Sequence, residues 1–104
     1  MGREFPRQDE WLVPTLVQLE LANWLIRENL ENAAELVTAF SKYCMVVALD
    51  TETALRAAEL AVGHRLSTAD AIIYATALAY EADLLTCDRH FEGLPGVIYV
   101  AKAG

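Results

Sequence analysis

Two spacings of apolar residues alternate along this chain. In "TLVQLELANWLIREN" (15–29), Leu16, Leu19, Ala22, Asn23 and Ile26 recur three and four apart, which predicts a helix with Thr15 and Gln18 as its capping box. "LENAAELVTAFSKY" (30–43) reads as a second amphipathic helix, with Ala33, Leu36, Val37 and Phe40 on one side. Asp50 is placed to cap a third helix over "TETALRAAELAVGHR", and Ser67 to open a fourth over roughly 68–82. Between these lie apolar runs too short for helices. "WLVP" (11–14) ends in a proline that a central strand would not tolerate in its middle; "CMVVAL" (44–49), "DLLTC" (83–87) and "VIYVA" (97–101) are the other strand candidates, the last two separated by the turn-rich "EGLPG". Apolar strands alternating with helices predict an α/β fold whose parallel sheet is covered on both faces.

Length and composition narrow the picture. At 104 residues, 55% of them hydrophobic, the chain is sized for one compact domain. No apolar run is long enough for a membrane span, and "MGREFPRQDEW" is too polar for a signal peptide. Cys44 and Cys87 have neither disulfide-type nor zinc-type spacing, so a reduced, cytoplasmic protein is expected. The net charge of -7 excludes nucleic-acid binding through bulk positive charge. It leaves open an enzyme that meets nucleic acid through bound cations.

The candidate chemistry lies in three acids. In an α/β unit the chain enters each helix at the carboxyl edge of a strand, and the next strand returns to that edge. A fourth helix of roughly 22 Å and a five-residue strand of roughly 17 Å have comparable lengths, so Asp88 should come near Asp70. Glu20, in the opening turns of the helix after "WLVP", occupies a similar position, and its neighbours Leu16, Leu19 and Asn23 turn it toward the core edge. Such edges are where sites form in open parallel sheets. Three carboxylates meeting there would repel unless they shared a hard divalent cation, for which Mg²⁺ or Mn²⁺ suits the oxygen donors.

Each acid also has a purely structural reading. Asp70 completes a Ser-x-x-Asp capping box with Ser67 and complements the helix dipole. Asp88 can cap the short turn "RHF", and Glu20 can be an exposed helix acid. The remaining polar residues carry less. His90, two residues from Asp88, can approach a site but reads first as a solvated histidine, His64 as a helix-end residue, Asn23 as a supporting partner for Glu20 or an ordinary helix asparagine. Thr86 can hold Asp88 or a metal-bound water, or merely favour the strand, and Arg89 can meet a phosphate or solvent. Tyr74, Tyr80 and Trp24 read as core or interface. No glycine-rich phosphate loop, serine–histidine–aspartate set or cysteine–histidine zinc spacing is present.

"LSTADAIIYATALAYEADLLTCDRHFEGLPGVIYV" closely resembles the C-terminal half of PIN-domain ribonucleases, especially VapC-type toxins of toxin–antitoxin pairs. In them a helix opens as D-A-x-x-x-A-T-A and the next strand ends in T-x-D-x-x-F. "VPTLVQLELANWL" is similar to the family's earlier strand and glutamate-bearing helix, so the resemblance spans about residues 11 to 100. It implies that Glu20, Asp70 and Asp88 are three of four acidic residues holding Mg²⁺ or Mn²⁺. The implied reaction is metal-dependent endonucleolytic cleavage of RNA, by a homodimer inhibited by a cognate VapB-type antitoxin.

One departure matters. The family's first strand ends in an aspartate that is a primary metal ligand, and this sequence contains no such strand; Asp9 has no strand pattern before it and is not promoted to that role. The expectation is therefore a single PIN-like three-layer domain over 1–104, N-terminally truncated, with its central strand missing and its catalysis weakened or absent. Its sheet would close by direct pairing of the flanking strands 11–14 and 83–87, or by edge exchange with another copy. The alternative function is a non-catalytic PIN-like protein that dimerises or binds an antitoxin, for which the all-apolar "AIIYATALAY" supplies the buried face. A third reading is a metal-free structural domain whose acids only cap helices.

Overall fold

The computed structural model describes residues 11–86 and 88–101; Asp9 and Cys87 lie outside them. Four helices and four short strands follow one another as β1 (Leu12–Pro14), α1 (Thr15–Arg27), α2 (Ala33–Ser41), β2 (Met45–Val47), α3 (Thr51–His64), α4 (Thr68–Ala79), β3 (Leu84–Thr86), a 3-10 turn (Arg89–Phe91) and β4 (Val97–Tyr99). The chain divides into two compact units, 1–49 and 50–104. Each holds a two-stranded parallel sheet and two helices: β1 pairs with β2, and β3 with β4. The helix-rich α/β class and the parallel strands are thus as the sequence predicts. Among the described residues, each ladder joins two strands of its own unit that are successive in the chain.

In the first unit, β1 and β2 run in register from Leu12 opposite Met45 to Pro14 opposite Val47. Pro14 closes the strand and starts α1 without a side-chain cap. The expected Thr15–Gln18 capping box does not form; the Gln18 amide instead donates to Ser41 Oγ at 3.0 Å, tying α1 to the end of α2. The predicted apolar side of α1 is also shifted. Leu19 and Ile26 are exposed, while Leu25 is buried with Leu21 and Ala22 against Ala33 and Val37 of α2. Helical periodicity marks a stripe, but the neighbouring helix decides which part of it is covered. The same correction holds for α2, where Leu36 and Phe40 are exposed and Ala33, Val37 and Ser41 are buried.

The second unit follows the sequence more closely. The Asp50 carboxylate accepts from the Thr53 amide at 2.8 Å and starts α3. That bond favours the ionised form and holds Asp50 below the ordinary carboxylate pKa. Ser67 Oγ accepts from the Asp70 amide and starts α4. Gly63 lies inside α3; the helix ends on Arg65 in the left-handed conformation, φ 56°. The core joins Ala57 and Leu60 of α3 to Ala71, Tyr74 and Ala75 of α4, with Leu66 and Phe91. Tyr74 is the largest fully buried side chain, and its hydroxyl donates to the Pro95 carbonyl at 2.7 Å. Burial out of water pushes its hydroxyl pKa up.

Candidate metal centre

Tyr74 also explains how the two aspartates meet. It lies one helical turn after Asp70, so both side chains belong to the same region of α4. Its ring packs edge-on against Phe91, with centroids 6.3 Å apart, and Phe91 is the buried anchor of the 3-10 turn. Seating Phe91 there brings Asp88 and His90, on the same turn, to the first turn of α4. Parallel pairing of β3 with β4 fixes the strand that delivers Asp88, and the Asp88 amide donates to Thr86 Oγ1 at 3.0 Å. Thr86 therefore holds the backbone at Asp88, one of the roles its position suggests.

Asp70, Asp88 and His90 each offer a donor atom, and all three atoms lie within 4.8 Å of one another. His90 Nδ1 is 3.0 Å from Asp88 Oδ1 and 3.9 Å from Asp70 Oδ2. Asp88 Oδ1 also accepts from the His90 amide at 2.9 Å, so Asp88 caps the "RHF" turn while facing the cluster. Asp70 likewise supplies its amide to Ser67 and its carboxylate to the cluster. The structural and chemical readings of these acids coincide: at Asp70 the amide serves the cap and the carboxylate faces the cluster, while at Asp88 the carboxylate both caps the turn and faces His90.

The sequence offers His90 as a solvated residue or as one that approaches the site, and its side chain is 75% exposed, against 22% for Asp70. Exposure does not separate it from the cluster, because its Nδ1 faces both carboxylates. The i,i+2 spacing from Asp88 was the available signal. Glu20 lies on α1 in the first unit and is exposed, as are its neighbours Leu19 and Asn23, so the expected tilt of this acid toward the core edge is not seen. Arg89 is exposed beside Asp88. His64 ends α3 with its ring edge-on to Tyr74 at 6.0 Å, a packing role. Tyr80 and Trp24 are exposed rather than core.

The donor set fits a divalent cation. Two carboxylates on a partly exposed rim supply hard oxygen ligands and leave room for the waters that such ions retain. Two acids this close also repel one another, and a shared cation offsets that repulsion.

The PIN-domain family profile matches residues 3–97, and the chain belongs to that family. PIN domains generally depend on a divalent metal, and Asp70, Asp88 and His90 form the candidate acidic site for one here. Among solved structures, a chain from a toxin–antitoxin complex of Klebsiella pneumoniae has a similar fold. The TM-score is 0.74 at 23% identity, over 90% of this chain and 75% of that chain. No curated protein matches the sequence. Among the described residues, no helix is long and apolar enough to cross a membrane.

Proposed function

We propose that this protein is a metal-dependent endoribonuclease of the VapC toxin type, or an impaired, truncated relative of one. In this reading the chain is a single PIN-like domain, and Glu20, Asp70 and Asp88 hold Mg²⁺ or Mn²⁺. The observation that carries it is the meeting of Asp70 and Asp88 at one rim, 18 residues apart in sequence and with donor atoms within 4.8 Å. A divalent cation bound there supplies water activation and stabilises charge developing on a phosphate. The chain's own part is to hold that charge centre. Ser67 and Thr86 fix the backbone at the two aspartates, Phe91 and Tyr74 keep the two segments packed, and Arg89 stands ready for a phosphate oxygen. The proposed partners are single-stranded RNA, a VapB-type antitoxin and a second copy of the chain, in the cytoplasm.

A second reading is a non-catalytic PIN-like interaction protein that dimerises or binds an antitoxin. It is supported by the exposed apolar residues Leu19, Trp24 and Ile26 of α1 and by the fold's likeness to a chain from a toxin–antitoxin complex.

Incubating the protein with labelled single-stranded RNA and Mn²⁺ or Mg²⁺, with EDTA as control, tests the first reading. Cleavage is expected with metal, and it should fall by at least about 100-fold in Asp70→Asn and Asp88→Asn and also decline in Glu20→Gln. Intact RNA at high protein concentration, with metal binding retained, would favour the interaction reading.

A further inference from the structure

We infer that His90 is a third donor of the metal centre, supplying Nδ1 beside the two carboxylates and turning a hard oxygen site into one that prefers transition-metal dications. The inference rests on the reading of Asp70 and Asp88 as metal-holding residues. Its starting point is that Nδ1 is the atom that approaches both carboxylates: 3.0 Å from Asp88 Oδ1 and 3.9 Å from Asp70 Oδ2.

Those spacings lie within the range set by an octahedral ion. With bonds of roughly 2.1 Å, neighbouring donors stand about 3.0 Å apart and opposite donors about 4.2 Å. The Asp88–His90 pair already has the shorter spacing, and the Asp70–His90 pair falls between the two. Three donor atoms within 4.8 Å of one another can therefore face one ion with small side-chain adjustments.

The backbone holds the ring in place. The His90 amide donates to Asp88 Oδ1 at 2.9 Å, and the next residue, Phe91, is buried against Tyr74. The imidazole thus starts from a fixed residue at the rim, although its outer face is in solvent. Imidazole suits later first-row metals better than Mg²⁺, which retains oxygen ligands and water. An O,O,N set should therefore separate Mn²⁺ from Mg²⁺ more strongly than an O,O set does.

Calorimetric titration of the full chain with Mn²⁺ and with Mg²⁺ reads this directly, alongside pulsed electron paramagnetic resonance of bound Mn²⁺. The wild-type protein should bind Mn²⁺ at least tenfold more tightly than Mg²⁺ and show nitrogen coupling to the ion. His90→Ala should lose that coupling and about tenfold in Mn²⁺ affinity, with Mg²⁺ affinity changed less than threefold. His90→Gln, which keeps a polar side chain on the same turn, guards against a folding artefact and should also lose the nitrogen signal. If Mn²⁺ binds without nitrogen coupling, or both variants keep the wild-type Mn²⁺ preference, His90 is only a hydrogen-bond partner of Asp88 and the inference is overturned. Asp70→Asn and Asp88→Asn separate the two levels. If they leave Mn²⁺ binding intact, the metal-centre reading itself fails; if they abolish it while His90→Ala does not weaken it, only the role of His90 fails.

Discussion

The two halves of this molecule use the same parts in different ways. Each has two helices and a two-stranded parallel sheet. The second unit begins α3, α4 and the 3-10 turn on side-chain caps from Asp50, Ser67 and Asp88, and gathers six other buried residues in one cluster with Tyr74. The first unit begins α1 on Pro14 and α2 on Asn32 without such caps, and among its described residues the helix cluster buries Leu25, Ala33 and Val37. Large apolar side chains there, including Leu19, Trp24, Ile26 and Phe40, are left exposed. The candidate metal centre belongs to the half with the side-chain caps and the larger buried cluster. A cation site needs donor atoms held in place before the ion arrives, and caps plus a buried aromatic pair provide that hold.

The largest test of this contrast is core truncation. Tyr74→Ala should cost about 3–5 kcal/mol, because it opens a cavity and removes the bond to Pro95. Leu25→Ala should cost about 2 kcal/mol, the low end for such a change, since a small, partly exposed cluster can close around the gap. Urea unfolding followed by circular dichroism measures both, and a reversed order would break the contrast.

A smaller effect sharpens it. Ser67→Ala should cost about 1 kcal/mol by removing the α4 cap. It should also weaken Mn²⁺ binding modestly, because Asp70 is the residue whose amide that cap holds. Thermal melts with and without metal would show both effects; an unchanged melting temperature would remove the cap from the account.

The smallest expected effect is in acid. The folded-state pKa of Asp50 is depressed by the Thr53 amide, so its contribution is present above the ordinary aspartate value and is lost as the pH falls below about 4. Asp50→Asn should flatten that part of the stability–pH curve while keeping a polar cap. A curve of unchanged slope would mean that the bond contributes nothing to acid sensitivity.

Local chemistry was the legible part of this chain. The caps at Asp50 and Ser67 were readable because a cap is decided by residues three positions apart. The pairing of Asp70 with Asp88 was readable from element lengths and from the resemblance to PIN domains. The face of α1 was not, because Leu19 and Leu25 are equally apolar and only the approach of α2 selects one of them. The end of α3 was readable as well: the helix was expected through His64 and Arg65, and it closes there on Arg65 in the left-handed conformation. His90 was undervalued because an exposed histidine carries no mark of its neighbours until Phe91 is seated against Tyr74.

What the amino-acid sequence determined by itself was the order and kind of the elements, their starts, and which acids stand at strand and helix ends, since short-range hydrogen bonds and apolar spacing suffice for these. What the tertiary structure decided was which apolar stripe is covered, which strands pair, and that an imidazole joins two carboxylates at one rim. Those outcomes depend on contacts between segments far apart in the chain, where many residues satisfy the same local pattern and packing selects among them.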